Sequence, residues 1–505
     1  MPAPEAVLIN PKMCKPSGVR LPISVLTLGA VLEGKYEYRI VDGNIDPDAV
    51  WNAVKAVGEG KCKAVGITVM PGPQVAPAIE ISTAIKAAHP EVPIVWGGYF
   101  PTLYHGAAIS APYVDFVVRG EGEGAMLDLL QRLPARDEAT LREVRGLTWK
   151  KDGEVVNNPN SGFNSPNDYP MLPYERAGDV RRYLRRSFMG ARTAVHQAAI
   201  GCRYHCGFCG VVSMFNGFTA LSTEARLEHA LLHLRDTYGA DSVQFYDHNF
   251  FDNEKSSLPS IDVLARLRMP WWCYARADTL AKFSVSTWEQ LRKSRFTMAY
   301  IGAEAASDEV LKKMRKGSKV EHTFEVAHRC REYGVIPEFS FVLGGPEDPE
   351  GEIEKTFQFV RKIKTIHPQC EVVLYFYSPT PQRDPAYRKG SVPAAVLPVL
   401  NSYGPSGPEL PTTPEEWTQP EWLNYVCHQD APWLSQRMRQ RVRDFGNVLG
   451  CRFPTAQDYA TPAWGKRILA TLASWRYATK YYENPVELNI ARKFIPLRRP
   501  QVESL

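Results

Sequence analysis

The sequence predicts an α/β protein in three parts: an N-terminal doubly wound parallel sheet, a partial (β/α)6 barrel, and a mostly helical C-terminal region. Three observations predict it. Short buried-strand runs alternate with helical patterns over residues 1–150. The alternation returns near residue 192 for six strand–helix units. After about residue 385 the texture changes to Pro-rich loops and helical patterns. Regular strand–helix alternation is how parallel sheets are written in sequence.

In the first part, AVLIN (6–10) reads as a strand and PISVLTLGAVLEG (22–34) as an amphipathic helix closed by Gly34. YRIVDGN (38–44) is a second strand, followed by a helix over 46–60 with Asp46 placed to cap it. KAVGITVM (63–70), PIVWGG (93–98) and VDFVVRGEGE (114–123) complete five strands. Ligands of such sheets lie beyond the carboxyl ends of the strands. Here those ends carry Asn10-Pro11, Asp42-Gly43-Asn44, Met70-Pro71-Gly72-Pro73, Gly97-Gly98-Tyr99 and Gly120-Glu121-Gly122-Glu123. Residues 151–190 are polar and turn-rich, as in a linker wrapping the surface. Six strands follow within 191–385, and 386–505 form the helical region, where five of the eleven Trp crowd into 417–475.

Composition narrows the class. The 505 residues are 44% hydrophobic and 23% charged, which excludes disordered, collagen-like and coiled-coil chains. A net charge of +5 is too small to argue for nucleic acid. No apolar run approaches the roughly 18 residues of a membrane span. The start, MPAPEAVLINPKMCKP, lacks the features of a secretion signal, so a cytoplasmic location is expected.

The strongest chemical signal is GCRYHCGFCG, which spaces Cys202, Cys206 and Cys209 as C-x3-C-x2-C after the first barrel strand. Three thiolates on one tight loop can hold three irons of a [4Fe–4S] cluster and leave the fourth open. Zinc with His205 as fourth ligand competes, but His205 adjoins Cys206 and would struggle to converge on one ion.

With these residues in order, the segment 190–385 resembles the radical SAM superfamily. CRYHCGFC matches its cluster loop, with Phe208 before the last cysteine. IGAEAASDE matches its fourth-strand motif, which implies that Glu304 binds the amino group of S-adenosylmethionine, beside Gly302 and Ala303. FVLGGPEDPE matches the fifth-strand motif that supports adenine and ribose, through Gly344, Gly345 and Pro346. QFYDHNF and WCYARAD would turn Asp247 and Arg276 toward the cavity, and Arg276 offers a fork for a carboxylate. A departure lies after the sixth strand, where SPTPQRDPAY (378–387) replaces the family's usual Pro-Gly-Thr turn.

The whole arrangement resembles the cobalamin-dependent radical SAM enzymes, the class B methyltransferases and their relatives. The first 150 residues would then be a Rossmann-like cobalamin domain, with Asp42, Asn44, Met70, Gly97, Gly98, Tyr99, Gly120, Glu121, Gly122 and Glu123 around the corrin. The Asp-x-His-x-x-Gly motif that supplies histidine to cobalt is missing, and PKMCKPSGV stands in its place. Cobalt is therefore expected to have no histidine ligand, with Cys14 or the Met70–Gln74 loop near its lower face. The resemblance implies C-methylation of an unactivated carbon through a 5′-deoxyadenosyl radical and methylcobalamin. The substrate would be a small molecule or natural product, and an electron donor such as flavodoxin or ferredoxin would be needed. Cobalamin-assisted cyclisation or rearrangement without net methylation is the alternative enzyme, and a cobalamin sensor the alternative class. Intact cysteines and Glu304 argue against a sensor. His229 and His233 lack the glutamate of a zinc-protease motif and are expected to be helix-face residues.

Overall fold

The computed structural model describes residues 2–135, 137–345, 348–378, 409–431 and 434–498. Pro346, Trp433 and nearly all of the 378–387 loop therefore lie outside the described residues. The first sheet has seven strands: β1 (Ala6–Asn10), β2 (Tyr38–Asp42), β3 (Ala64–Thr68), β4 (Ile94–Gly97), β5 (Phe116–Val118), β6 (Leu147–Lys151) and β7 (Glu154–Asn157), in the order β2-β1-β3-β4-β5-β6-β7. The first five pair in parallel, as their continuous apolar runs require. β6 and β7 add an antiparallel hairpin, which carries the sheet past residue 150 into the stretch read as linker.

Side chains alternate between two cores. Val7, Ile9, Ile67 and Trp96 pack with the helices Ala49–Val57 and Val75–Ala88. Ala6, Leu8 and Val95 pack with Ile23–Leu32 and Glu123–Arg132 on the other face. Helix Ile23–Leu32 is not amphipathic as expected: Val25, Leu26, Gly29, Ala30, Val31 and Leu32 are all buried, because the sheet, the linker and a neighbouring helix surround it. Asp46 does not cap its helix either. It accepts from Asp48 N at 3.0 Å and Asn52 Nδ2 at 2.8 Å, which forms a turn one step before the helix starts.

The second sheet is wholly parallel, with β8 (Thr193–His196), β11 (Ser242–Phe245), β12 (Trp271–Arg276), β13 (Phe296–Glu304), β14 (Ile336–Leu343) and β15 (Glu371–Phe376) in the order β15-β14-β13-β12-β11-β8. The run read as one first strand breaks after His196. Its second half, β9 (Ala199–Gly201), pairs instead with β10 (Thr219–Leu221) and delivers the chain into the cysteine loop.

The linker is not a surface wrap. Tyr174 and Tyr183 are among the largest fully buried side chains and pack between Val19, Leu21 and Leu26 of the first unit and Ala194, Leu234 and Met269 of the second. Their aromatic bulk is what joins the two sheets. The C-terminal region braces both units. The Trp417 ring lies tilted 4.2 Å from the Tyr104 ring on the first, and Phe445 stacks 3.8 Å from Phe357 on the second. Thr455 and Gln457 bind Glu371 of β15, while Tyr459 donates to Arg186 O just before β8, so this segment crosses the lower end of the barrel. Of the Trp residues crowded into 417–475, Trp464 and Trp475 are not packed but 62% and 49% exposed.

Candidate active site between the two sheets

The strand order of the first sheet reverses at β1 and β3, which opens a crevice beyond their carboxyl ends. Its floor is a hydrogen-bonded lattice. Gln74 Nε2 donates to Asn10 Oδ1 at 2.9 Å and Pro11 O at 2.8 Å, while Gln74 Oε1 accepts from Met70 N at 2.8 Å. Asn10 Nδ2 in turn donates to Asp42 Oδ1 at 3.0 Å. Asn44 Oδ1 accepts from Met13 N at 2.8 Å and from Cys14 N and Sγ at 3.1 and 3.3 Å, which fixes the loop that replaces the histidine motif.

Above this floor lies a cavity of about 1170 Å³. That exceeds ordinary small-molecule pockets of ~300–1,000 Å³ and suits a ligand of corrinoid bulk. Asn44, Met70, Gly97, Gly98, Tyr99, Gly120, Glu121, Gly122 and Glu123 all line it. Gly98 has φ +96°, and a Cβ there would sit 3.0 Å from Thr68 Oγ1, so only glycine keeps this wall flat. Burial pushes Glu121 up to about 7 despite a 2.6 Å hydrogen bond from Tyr169, and burial raises Glu123 as well. Near neutral pH the Glu121 carboxyl can donate to amides, the groups that fringe cobalamin.

On the barrel side, Cys202, Cys206 and Cys209 follow β9, and Cys209 precedes the helix Gly210–Phe215. Arg276 Nη1 donates to Cys206 Sγ at 3.3 Å. The same guanidinium forks Asp278 at 3.0 and 3.2 Å and lies 3.5 Å over the Tyr204 ring. Burial, with the neighbouring thiols, pushes Cys209 up to about 12, and burial raises Cys202. A metal would displace the protons that burial favours, and the nearby Arg276 and Lys316 cations offset the negative charge then gathered there. His205 turns onto Gly217, where a Cβ would lie 2.6 Å from Nε2. Among the described residues no three His, Cys, Asp or Glu side chains close on a one-ion site. The donor set is three sulfurs on one loop, which fits a cluster with one open iron.

Glu304 ends β13 at φ +64°, where the register to β14 shifts between Gly302 and Glu304. The shift brings its carboxylate to the inner face. There Oε1 accepts from Lys316 Nζ at 2.6 Å, with both side chains only 7% exposed. A Cβ on Gly302 would collide with Glu304 Oε1 and lie 2.5 Å from Lys316 Nζ, so Gly302 makes the room for this pair. Phe208 faces Lys316 at 5.8 Å. Gly344, with φ +79°, backs onto Leu434.

Three expected site residues stand elsewhere. Asp42 is not on the cavity wall but behind it, holding Asn10 and Asn44. Ala303 packs into the barrel core, because side chains alternate and its neighbours take the inner face. Asp247 is fully buried and turns back to accept from Ala199 N; burial pushes it up to about 7, and Oδ2 has no partner. Its neighbour His248 reaches the cavity instead, with Nδ1 unpartnered and burial lowering its imidazole to about 4. In the sequence Lys316, Asp278 and Tyr204 carry no assigned role, and Gln74 is named only as the end of the Met70–Gln74 loop. Only the basic turn MRKG hinted at Lys316.

Comparison with known proteins finds two family matches. The B12 binding domain profile matches residues 15–130, and the Radical SAM superfamily profile matches residues 198–360. An uncharacterized methyltransferase of Pyrococcus horikoshii is 24% identical over 358 residues, covering 70% of this chain and 75% of its own length. The anaerobic magnesium-protoporphyrin IX monomethyl ester cyclase of Synechocystis is 23% identical over 325 residues, covering 62% of this chain and 63% of its own. The solved structure of the radical S-adenosylmethionine methyltransferase TsrM from Kitasatospora setae, with cobalamin and a [4Fe–4S] cluster bound, has the same fold. It superposes with a TM-score of 0.61 at 16% identity, covering 94% of this chain and 99% of that one.

Proposed function

The chain belongs to the proteins that join a B12 binding domain to a radical SAM domain, and on that premise we propose that it is a C-methyltransferase. Its substrate is a small molecule with an unactivated carbon. One observation carries the reading: the barrel walls the cavity of the first sheet, and the cysteine loop abuts that cavity. Gln197, Val211, Met214, Phe215, Tyr246 and His248 of the barrel wall off the same cavity that the glycine-rich strand ends of the first sheet open. A Cβ on Gly210, the residue after Cys209, would collide with the Tyr99 hydroxyl from the opposite sheet.

When bound, the cluster supplies the electron that splits S-adenosylmethionine to a 5′-deoxyadenosyl radical, and cobalamin carries the methyl group. The chain's own residues place these partners. Cys202, Cys206 and Cys209 would hold the cluster, and Arg276 donates toward Cys206 while Asp278 and Tyr204 fix its guanidinium. Glu304 would receive the ammonium of S-adenosylmethionine as Lys316 turns from its carboxylate toward the substrate's carboxylate end. The Gln74–Asn10 lattice would hold one face of a bound corrinoid, and the apolar barrel wall of Val211, Met214 and Phe215 would shield the reacting carbon from water. An external one-electron donor such as a flavodoxin or ferredoxin completes the set, and the expected location is cytoplasmic. Among the described residues no helix is long and apolar enough to cross a membrane.

The test is stoichiometric. With cluster, cobalamin, reductant and candidate substrates, methylation consumes two S-adenosylmethionines, one to S-adenosylhomocysteine and one to 5′-deoxyadenosine, in equal amounts. The similarity to a cyclase favours the second reading, cyclisation, which would produce 5′-deoxyadenosine without S-adenosylhomocysteine. Neither product under any condition would leave the sensor.

A further inference from the structure

The inner face of the barrel carries a row of aromatic hydroxyls that the reaction above does not use. In register, Tyr274 of β12 lies beside Tyr300 of β13, Tyr300 beside Glu338 of β14, and Glu338 beside Glu371 of β15. Gln244 of β11 lies beside Trp272, which places Tyr246, two residues on, alongside Tyr274. The intervening Phe245, Cys273, Ile301 and Phe339 pack outward against the helices, so the row faces inward. Ring centroids are 6.5 Å apart from Tyr246 to Tyr274 and 5.2 Å from Tyr274 to Tyr300, with Trp272 4.6 Å from Tyr274. Tyr246 alone of these rings lines the chamber between the sheets.

The row ends on two acids. Glu338 and Glu371 are buried, and Gln457 Nε2 donates to both, at 3.1 and 2.8 Å. Glu338 Oε2 has no hydrogen-bond partner, although the Trp272 indole nearby favours its charged form. Burial and the adjacent Glu371 push Glu338 well above the carboxylate range. A barrel interior filled for stability alone is built from layers of Val, Ile and Leu. This one is phenols, an indole and a carboxyl pair.

We propose that Tyr246 is a hydrogen-atom donor that quenches the 5′-deoxyadenosyl radical when no substrate is in place, and that Tyr274 and Tyr300 carry the resulting hole inward. This rests on the radical reading above. The phenol O–H breaks, the stronger C–H bond of 5′-deoxyadenosine forms, and Tyr246 is left as a neutral phenoxyl. Each inward hop reduces one ring and oxidises the next, with the phenolic proton moving between oxygens. The last phenoxyl returns to phenol by taking one electron from the one-electron donor that the reaction already requires. It takes one proton from water, passed on by the Glu338–Glu371 pair.

The test is label transfer. Full-length protein carrying cluster and cobalamin is exchanged into D2O and given S-adenosylmethionine and a thiol-free reductant, without substrate. Wild type should form 5′-deoxyadenosine with a single deuterium, because only exchangeable O–D groups supply it. The Tyr246→Phe variant, which keeps the ring and its packing, should lose the label while still binding cobalamin. Freeze-quenched wild type should show a phenoxyl signal that narrows when the tyrosines are ring-deuterated. Unlabelled 5′-deoxyadenosine from wild type, or full labelling in the variant, would overturn the proposal and leave the radical function standing. Absence of 5′-deoxyadenosine altogether would remove both.

Discussion

Lys316 Nζ lies 2.6 Å from Glu304 Oε1 inside the barrel mouth, and Gly302 provides the space for the pair. A carboxylate awaiting an ammonium group is thus already satisfied by an ammonium from its own chain. The exchange costs less desolvation than filling an empty acid would, since the charge on Glu304 is balanced before and after binding.

Glu304→Gln should lower affinity for S-adenosylmethionine about 30- to 1,000-fold, which is ~2–4 kcal/mol for a desolvated charge pair. It should also destabilise the chain by up to about 3–5 kcal/mol, because Lys316 is left buried without a counter-charge. Adding Lys316→Met should recover stability but not binding. Calorimetric titration and thermal melts of the single and double variants separate the two effects. Undiminished binding in Glu304→Gln would move the ammonium site elsewhere.

Gly302→Ala follows from the same geometry. Its Cβ would occupy the space of the Glu304 carboxylate, so the pair must part. Iron loading on Cys202, Cys206 and Cys209 should persist at about four per chain. Binding of S-adenosylmethionine should weaken. Replacing the three cysteines by Ala should abolish iron and acid-labile sulfide together, whereas His205→Ala should retain both, since His205 packs on Gly217. Stoichiometric zinc without sulfide would contradict the cluster.

The cobalamin site makes its own spectroscopic forecast. The loop over residues 11–19 contains no histidine and is pinned by Asn44, and the two cavity histidines, His196 and His248, belong to the barrel side. The cob(II)alamin form should therefore show no nitrogen superhyperfine splitting from an imidazole. Splitting that disappears in His248→Ala would place that residue on cobalt and reverse the expected orientation of the corrin.

The sequence was most informative where chemistry and chain order coincide. Cys202, Cys206 and Cys209 are neighbours in the chain, and a strand end such as Gly97-Gly98-Tyr99 reaches a ligand simply by ending a parallel strand. Partners across the fold were hidden. Lys316 meets Glu304 only because the turn after a short helix folds back over the barrel mouth. Asp247 and His248 differ by one residue, and the backbone turn after β11 decides which enters the cavity. Tyr174 and Tyr183 sit in a polar stretch that reads as a surface loop, and only docking of the two sheets shows them as core. The Glu338–Glu371 pair is legible only from register, since each acid alone looks like a strand-end residue.

Glu121 supplies a pH test of the cavity wall. Burial raises its carboxyl from 4.5 to about 7, with Glu123 adding repulsion and the Tyr169 and Asn164 hydrogen bonds opposing the shift. The folded chain therefore keeps a proton that the unfolded chain has already released between pH 4.5 and about 7. The unfolded state binds fewer protons in that window, so this group lowers stability as pH rises through it, and its cost is fully present above it. With partial exposure screening the effect, the penalty above neutral pH should be about 1–2 kcal/mol. Glu121→Gln keeps an acceptor for Tyr169 and removes the titration. In urea unfolding of the cofactor-free protein, the variant should match wild type at acid pH and exceed it in alkaline buffer. Equal stability differences at both ends of the window would show that Glu121 is charged in the folded chain and that its wall of the cavity is open to water.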